Sequence, residues 1–178
     1  MSINLITLKD IEKMDDGTIN ILNRIGIKLL IRYTDPSFPT LQMTEKGDWI
    51  DLKTAERYEL KAGEFALINL GIAMQIPYEF EAWLAPRSGT FKKYGLIQTN
   101  SIGIIDNSYC GNNDIWRMPV YATRDTIIEK GERLCQFRLI ERMGSMFDRK
   151  VTRPEDLYII EVKELDGEDR GGFGSSGR

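Results

Sequence analysis

Residues 115–140 read IWRMPVYATRDTIIEKGERLCQFRLI, and this stretch shows the β-type pattern that recurs along the chain. Two runs, Ile115 to Ala122 and Leu134 to Ile140, are rich in apolar residues and have the length of strands. The dipeptide Lys130-Gly131 between them is a turn signal, because glycine adopts backbone conformations that other residues avoid. The stretch therefore predicts two strands separated by a turn.

Runs of the same kind occur on both sides of this stretch, with turn residues between them. These runs are Ile27 to Tyr33, Trp49 to Leu52, Phe65 to Leu70, Phe80 to Leu84 and Leu157 to Val162. The separators include Asp35-Pro36, Ala62-Gly63, Ile76-Pro77 and Gly111-Asn112-Asn113. Many short strands at even spacing predict an all-β sandwich or jelly roll rather than alternating βαβ units.

Two short segments have a helical pattern. Leu8, Ile11 and Met14 fall three residues apart, which would place them on one face of a helix. A second helix of one or two turns is predicted from Ser88 to Lys93, with Ser88 as its N-cap. From Asp166 onward the composition changes to Gly, Ser and charge. We therefore expect one domain over residues 1–165 and a flexible glycine-rich arm over residues 166–178.

The composition argues against several kinds of partner. The 178 residues carry a formal net charge of -3, with acidic and basic residues interspersed, so no basic stripe is available for a nucleic acid polymer. No segment approaches the ~20 apolar residues of a membrane span, and the first residues lack a secretory signal pattern. A soluble, cytoplasmic protein is predicted. Cys110 and Cys135 are predicted to be free thiols, since two cysteines make no disulfide framework.

The chain contains no histidine, which removes several kinds of catalysis. Ser-His and Cys-His nucleophile pairs are excluded, and zinc-dependent deamination of nucleobases lacks its histidine ligand. A zinc site would need two cysteines and carboxylates, which is an uncommon ligand set. Any proton transfer must therefore use a carboxylate, a lysine or a tyrosine.

The last nine residues, 170–178, read RGGFGSSGR and have the composition of a nucleotide-binding arm. Glycines let the backbone wrap closely round a ligand, serines supply hydroxyls, arginines supply charge and Phe173 offers a stacking face. The chain stops where a phosphate-binding helix would follow, so the arm must close over a site built elsewhere. A Gly/Ser tail without function, or an expression remnant, is the alternative interpretation.

Four polar clusters interrupt the β-type runs upstream of the arm. They read GDWIDL at 47–52, APRSGT at 85–90, NSIGIIDNSYCG at 100–111 and GERLCQF at 131–137. The second cluster places Arg87 and Ser88 at a predicted strand-to-helix turn, where backbone N–H groups attract phosphate oxygens. Together with the arm, the clusters indicate a site for a phosphorylated ligand.

Asp106, in the third cluster, is the candidate catalytic base. Hydrolysis of a nucleoside triphosphate needs positive charge on the phosphates, a divalent cation and a base that activates water. Without histidine, a carboxylate is the natural base, and Asp106 follows the apolar pair Ile104-Ile105, which favours partial desolvation. The alternative is that Asp106 merely begins a turn with Asn107 and Ser108.

With these five motifs in this order, the chain resembles the trimeric, all-β dUTP pyrophosphatases (dUTPases) over roughly residues 27–177. The segments P-R-S-G, G-x-I-D-x-x-Y-x-G, G-E-R-x-x-Q and R-G-G-F-G-S-S-G are weak signals singly and specific as a set. The resemblance implies a jelly-roll-like β-sandwich or distorted barrel, and Mg²⁺-dependent hydrolysis of dUTP to dUMP and pyrophosphate. It also implies a homotrimer with shared sites, in which the arm crosses to a neighbouring chain's site.

The resemblance also assigns roles to individual residues. Asp106 is implied as the base that activates water for attack on the α-phosphate. Asp51 and Gln136 are implied to contact Mg²⁺ through metal-bound water, with Asp51 also near the sugar 3′-OH. The implied substrate-binding residues are Arg87, Ser88, Gly89, Asn100, Gly103, Ile105, Tyr109, Gln136, Arg170, Phe173, Gly174, Ser175 and Ser176.

Within that set, the resemblance divides the substrate among the motifs. The second motif, together with Arg170, Ser175 and Ser176, is implied to bind the phosphates. Asn100 and the backbone of the third motif are implied to recognise the uracil edge. Tyr109 would pack beneath the deoxyribose and Phe173 would stack over the uracil.

Other interpretations stay open at this point. Taken alone, Asp51 is predicted to be an outward-facing strand residue. Tyr109 could simply pack in the core. Arg133 could contact the ligand or pair with a carboxylate. The first motif lacks the family's more frequent Ala-Gly-Tyr-Asp-Leu, and Ser108 replaces the acidic residue or glycine of many members. A dCTP deaminase-like enzyme of the same fold and a non-catalytic nucleotide-binding regulator are the rival functions.

Overall fold

The computed structural model describes residues 2–15, 18, 27–43, 48–143 and 156–173. Their strands are β1 (Ser2–Ile6), β2 (Ile27–Tyr33), β3 (Leu41–Gln42), β4 (Ile50–Lys53), β5 (Tyr58–Leu60), β6 (Phe65–Asn69), β7 (Ile72–Gln75), β8 (Phe80–Pro86), β9 (Leu96–Gln98), β10 (Gly103–Ile105), β11 (Arg117–Ala122), β12 (Thr126–Ile128), β13 (Arg133–Glu141) and β14 (Asp156–Glu161). Their helices are α1 (Leu8–Ile11) and α2 (Thr90–Tyr94). The prediction of an all-β fold is confirmed.

Strand β2 shows why these runs form strands. Its sequence IKLLIRY alternates fully buried and partly buried side chains from one end to the other. Successive side chains of a strand point to opposite faces, so burial with a period of two requires this conformation. Leu29 and Ile31 are fully buried and join a core that extends to Trp116 and Phe137. The core therefore contains one face of β2.

The strands pair into four sheets, and one of them carries most of the motifs. The five-stranded sheet has the order β10-β8-β13-β4-β3. The others have the orders β1-β14-β2-β7, β6-β11-β9 and β12-β5. Since β4, β8, β10 and β13 belong to the first four motifs, this sheet brings segments far apart in the sequence side by side.

Each predicted run overlaps a strand, but several other strands of the described residues lie outside the predicted runs. Strands β1, β3, β5, β7, β9, β10 and β12 are short, and a few residues give too weak a periodic pattern to identify a strand. The third motif contributes β10, which pairs with β8 in antiparallel register and places Gly103 opposite Leu84.

Both helices differ in extent from their predictions. Helix α1 begins as predicted but ends at Ile11, with a capping box formed by Thr7 and Asp10. Helix α2 begins at Thr90 with Gly89 as its N-cap, so the prediction of Ser88 as N-cap is wrong. The reason is that the Arg87 N–H still donates to the Leu134 carbonyl (3.1 Å), which prolongs strand pairing beyond β8. Among the described residues no helix is long and apolar enough to cross a membrane.

The core makes a prediction about stability. Phe137 is fully buried, and its ring meets Trp116 edge-on with centroids 5.2 Å apart. Phe137→Ala should lower the free energy of unfolding by about 3–5 kcal/mol, because it removes apolar contacts and leaves a cavity. Urea denaturation measures this loss.

Phe91→Ala is the matched control, because that phenylalanine is 57% exposed. Its free energy of unfolding should stay within about 0.5 kcal/mol of the unaltered protein. Equal losses in the two variants would contradict the core assignment of Phe137.

Candidate active site

The third motif and the arm line one cavity, which we call the Asp106 pocket. Its volume is about 240 Å³. It brings together seven of the predicted site residues, namely Asn100, Gly103, Ile105, Asp106, Tyr109, Arg170 and Phe173. Leu84 and Arg117 also line it, and neither is part of a predicted site. The pocket thus combines a carboxylate, two guanidinium groups and two aromatic rings.

Strand pairing positions the floor of this pocket. Gly103 and Ile105 lie opposite Leu84 and Ala82 of β8. A Cβ atom on Gly103 would lie 3.2 Å from the Leu84 Cβ, so a larger residue there would require Leu84 or β10 to shift by a few tenths of an ångström. Asn100 is held from below by Gln98, whose buried amide donates to the Asn100 Oδ1 (2.9 Å) and to the Leu84 carbonyl (3.1 Å).

Asp106 begins a turn with Ser108, and the residue also lines the pocket. Its Oδ1 accepts hydrogen bonds from the Ser108 N–H (2.8 Å) and Oγ, and its Oδ2 pairs with the Arg170 guanidinium. Partial burial raises the pKa of Asp106, but these donors outweigh burial and hold that pKa below its usual value. The side chain is therefore ionised at neutral pH.

Tyr109 lies between the core and the pocket. The ring packs against the core, and its hydroxyl donates to the Ile115 carbonyl (3.1 Å). Its other side faces the arm, where a Cβ on Gly172 would lie 3.2 Å from the Tyr109 Cε2. The ring is thus a fixed wall of the pocket rather than a freely rotating side chain.

The second and fourth motifs form a separate group, the Arg87 cluster, around the buried carboxylate of Asp51. The Arg87 Nε lies 3.0 Å from one oxygen of Asp51, and the Arg133 guanidinium lies 3.1 Å from the other. Only 3% of the Asp51 side chain is exposed. A buried charge is stable when it is paired, and here one carboxylate fixes two guanidinium groups. Arg133 is therefore the partner of a carboxylate.

An open pocket of about 500 Å³ lies beside these two arginines. Its other cations are Lys92 and Lys93, and Lys93 is paired with Glu132 (2.8 Å). A Cβ added to Gly89 would meet no atom within 4 Å, so the protein itself leaves the space above this turn open. Cations outnumber carboxylates around the pocket, which suits an anionic ligand.

Gln136 lies next to Asp51 because of the strand register. The two residues lie directly opposite each other in the antiparallel pair β13–β4, which places both side chains on one face of the sheet. Among the described residues there is no group of three or more His, Cys, Asp or Glu side chains that would hold a metal ion. Both Asp51 oxygens are also engaged by guanidinium groups, so Asp51 is not placed as a direct metal ligand.

The Asp106 pocket and the Arg87 cluster have no lining residue in common. The chain thus carries the carboxylate and aromatic groups in one place and the cations of the second and fourth motifs in another. Ser88 lies exposed at the turn beside the Arg87 cluster. Gly174, Ser175 and Ser176 lie outside the described residues.

Three pocket neighbours were not evident from the motifs. Gln98 supports Asn100, Arg117 lines the Asp106 pocket, and Asp114 binds the arm through backbone hydrogen bonds. The only sequence signal is for Asp114, an acid directly before the apolar pair Ile115-Trp116 in a segment adjoining the third motif. Gln98 and Arg117 lie in ordinary strand patterns, which carry no signal of a site residue.

The comparisons with known proteins point to one family. The dUTPase family model matches residues 42–177. The chain is 47% identical over 151 residues to the SPbeta prophage-derived deoxyuridine 5′-triphosphate nucleotidohydrolase YosS of Bacillus subtilis, covering 85% of this chain and 99% of that protein. It is 35% identical over 154 residues to the deoxyuridine 5′-triphosphate nucleotidohydrolase of Clostridium acetobutylicum, covering 85% and 97%.

Solved structures share the fold. The dUTPase of Streptococcus mutans matches with a TM-score of 0.56 and 29% identity, over 62% of this chain and 91% of that one. A mutant dUTPase from phage phi11 of S. aureus matches with a TM-score of 0.58 and 18% identity, over 71% and 96%. The predicted jelly-roll-like architecture is therefore confirmed.

The hydrogen bonds to Asp106 make a prediction about its ionisation. Ser108→Ala removes the hydroxyl donor and leaves the backbone N–H, so the pKa of Asp106 should rise. A carboxyl titration followed by NMR measures the change. An unchanged pKa would show that the Ser108 hydroxyl does not stabilise the carboxylate.

Ser37→Ala is the matched control, because Ser37 makes the same pair of hydrogen bonds to Asp35 on an exposed turn. The Ser37 hydroxyl holds the pKa of Asp35 below its usual value. This variant should raise the pKa of Asp35 and leave that of Asp106 where it was.

Proposed function

The chain belongs to the dUTPase family, and we propose on that premise that it hydrolyses dUTP to dUMP and pyrophosphate in a Mg²⁺-dependent reaction. One observation carries the proposal for the site: Asp106 is ionised in a pocket formed with Asn100, Tyr109 and the arm. This pocket offers a base where water would have to be activated, next to rings and amides suited to a nucleoside.

In the proposed reaction, Asp106 accepts a proton from a water molecule that attacks the α-phosphorus. A bond forms between the water oxygen and phosphorus, the bond from phosphorus to the α,β-bridging oxygen breaks, and pyrophosphate leaves. A carboxylate with a depressed pKa is a weak base, but it is fully ionised at neutral pH and so always ready to accept the proton. Without substrate, Arg170 contributes to the lowered pKa of Asp106. We propose that this guanidinium turns to the phosphates when substrate binds.

Arg87 and its neighbours are proposed to bind the triphosphate. The Arg87 guanidinium is fixed by Asp51 at 3.0 Å, which lowers the entropic cost of holding it in place for a phosphate. The open space above Gly89 admits phosphate oxygens close to the backbone, and Ser88 offers a hydroxyl there. Cations in excess of carboxylates favour a ligand with several negative charges.

The described residues fit a Mg²⁺ ion held by the phosphates and by water rather than by a cage of carboxylates. Asp51 and Gln136 share a sheet face, so we propose that both contact the ion through its water ligands. When bound, such an ion neutralises the charge on the phosphate chain. A mutant dUTPase from phage phi11 of S. aureus coordinates a structural Mg(II) ion, which is in keeping with this proposal.

We further propose that a complete site forms between chains of a homotrimer. The Asp106 pocket supplies the base and the rings, the Arg87 cluster supplies the phosphate cations, and they have no lining residue in common. In this proposal two copies of the chain meet at each site, and closed symmetric assembly repeats this contact. A separated monomer is expected to be inactive.

A substrate panel tests the proposed function. Pyrophosphate release should be far faster with dUTP than with dTTP, dCTP or UTP, should stop when Mg²⁺ is chelated and return when it is restored. Deleting Arg170 to Arg178 should sharply reduce the rate with dUTP, because the arm residues of the pocket are lost. Ammonia release from dCTP would instead indicate the deaminase, and tight nucleotide binding without hydrolysis would indicate the regulator.

The base assignment has its own test. Asp106→Asn keeps the shape of the side chain but removes the base, so kcat should fall by about 10²–10⁴-fold while a non-hydrolysable dUTP analogue still binds. Asp125→Asn is the control, because Asp125 is exposed and pairs with Lys61 and the Ala62 N–H, away from the Asp106 pocket. Full activity of the Asp106 variant would refute the assignment.

A further inference from the structure

Gln98, the last residue of β9, is a buried polar residue next to the Asp106 pocket. Only 5% of it is exposed. Its Nε2 donates to the Leu84 carbonyl (3.1 Å) and to the Asn100 Oδ1 (2.9 Å). Both of these partners line the pocket, although Gln98 itself does not. The residue therefore links strand β8 to the turn that carries Asn100.

The amide of Gln98 is present at a cost to stability. Its Oε1 is buried and has no hydrogen-bond partner among the described residues. A buried acceptor without a partner loses its bound water and gains no bond in exchange. An apolar side chain of similar size would avoid this loss, so packing alone does not account for an amide here. What the amide adds is the pair of hydrogen bonds from its Nε2.

The Leu84 carbonyl determines which way two amides are turned. A carbonyl oxygen can only accept a hydrogen bond, so the Gln98 atom beside it must be the donor Nε2. The same nitrogen donates to Asn100, so the Asn100 atom that faces it must be the acceptor Oδ1. The Asn100 amide is thereby fixed with its Nδ2 on the side away from Gln98.

The Asn100 Nδ2 lies at the wall of the Asp106 pocket. A Cβ added to Gly103, which also lines the pocket, would lie 3.6 Å from this nitrogen. Asn100 is exposed, and no acceptor within the described part of the chain bonds to its Nδ2. The pocket therefore presents an NH2 group to a ligand, and not a carbonyl oxygen.

Pyrimidine bases differ in the group that such a donor would meet. Uracil and thymine carry a carbonyl oxygen on ring carbon 4, which accepts a hydrogen bond, whereas cytosine carries an NH2 group there, which donates one. An NH2 group on the protein matches uracil, but with cytosine it leaves two donors facing each other. The orientation of the Asn100 amide thus discriminates between these two bases.

We propose that Gln98 is a positioning residue that holds the Asn100 NH2 group toward the 4-carbonyl of uracil and so excludes cytosine. The contacts run from the Leu84 carbonyl through Gln98 to Asn100 and then to the base. The inference rests on the proposed function, because it places the base of the nucleotide in the Asp106 pocket. It adds to substrate selection a residue outside the five motifs.

Gln98→Met tests the proposal, because methionine fills a similar space without a donor. The Asn100 amide can then turn either way, so the ratio of kcat/KM for dUTP to that for dCTP should fall about tenfold. Pyrophosphate release measures both rates. The ratio for dUTP to dTTP should stay unchanged, since thymine carries the same 4-carbonyl. An equal fall with all three nucleotides would mean a merely structural role and would overturn the inference.

Gln98→Glu extends this test. A carboxylate can only accept, which favours the Asn100 orientation with its NH2 group toward β9 and its oxygen toward the pocket. The dUTP-to-dCTP ratio should then fall below that of the Gln98→Met variant. Should the buried charge prevent folding, the Gln98→Met variant decides alone, and an unchanged ratio in it would overturn the inference.

Gln75→Met is the matched control. Gln75 is also a strand glutamine with a buried Oε1 that has no partner among the described residues, but it lies in β7 and does not line the Asp106 pocket. This variant should leave both nucleotide ratios as they are in the unaltered protein.

Asn100→Ala separates the action of Gln98 from a general effect on the fold. In an Asn100→Ala chain, Gln98→Met should cause no further fall in the dUTP-to-dCTP ratio, because the amide through which Gln98 acts is already absent. A further fall of the same size would overturn the inference.

Binding of the α,β-imido analogues of dUTP and dCTP, measured by calorimetry, gives a readout that needs no turnover. The unaltered protein should prefer the uridine analogue, and Gln98→Met should reduce that preference about tenfold. Preference for the uridine analogue without hydrolysis of dUTP would overturn the proposed function and support the inference. Equal binding of both analogues to the unaltered protein would overturn the inference, even if dUTP is hydrolysed.

Discussion

The antiparallel register of β13 between β4 and β8 is the constraint on which the rest of the site depends. It sets Gln136 opposite Asp51 on one side and opposite Ala85 on the other. A slip of one residue would turn every side chain of β13 to the opposite face of the sheet. The buried face of β13, including Phe137, opposes such a slip, because the slip would expose the core. Packing of the core thus determines the geometry of a polar site.

The carboxylates of Asp51 and Asp106 differ in their contacts because their surroundings differ. Asp51 is buried and fully engaged by the guanidinium groups of Arg87 and Arg133, so it acts on those cations. Asp106 is partly exposed, and its donors Ser108 and Arg170 keep it ionised while it faces a cavity. The first carboxylate holds two guanidinium groups in place, and the second is ionised and lines the pocket.

The arm is bound to the domain through another buried charge. Asp114 accepts hydrogen bonds from the backbone N–H groups of Gly111, Arg170 and Gly171, so two of these three donors come from the arm. These donors replace the water that the carboxylate loses on burial. Arg170 also pairs with Asp106, so the arm is joined to the pocket at a second carboxylate.

The all-β class, the absence of histidine chemistry and the motif residues can be predicted from the amino-acid sequence, since strand periodicity and residue type are local properties. It could not place Ser88 relative to the helix start, because continued strand pairing with Leu134 decides where α2 begins. Nor could it pair Arg133 with Asp51, 82 positions away, or Asp114 with the arm, 56 positions away. Those contacts depend on how the chain folds, because a local sequence pattern indicates which side chains are buried and not which distant donors compensate for their charge.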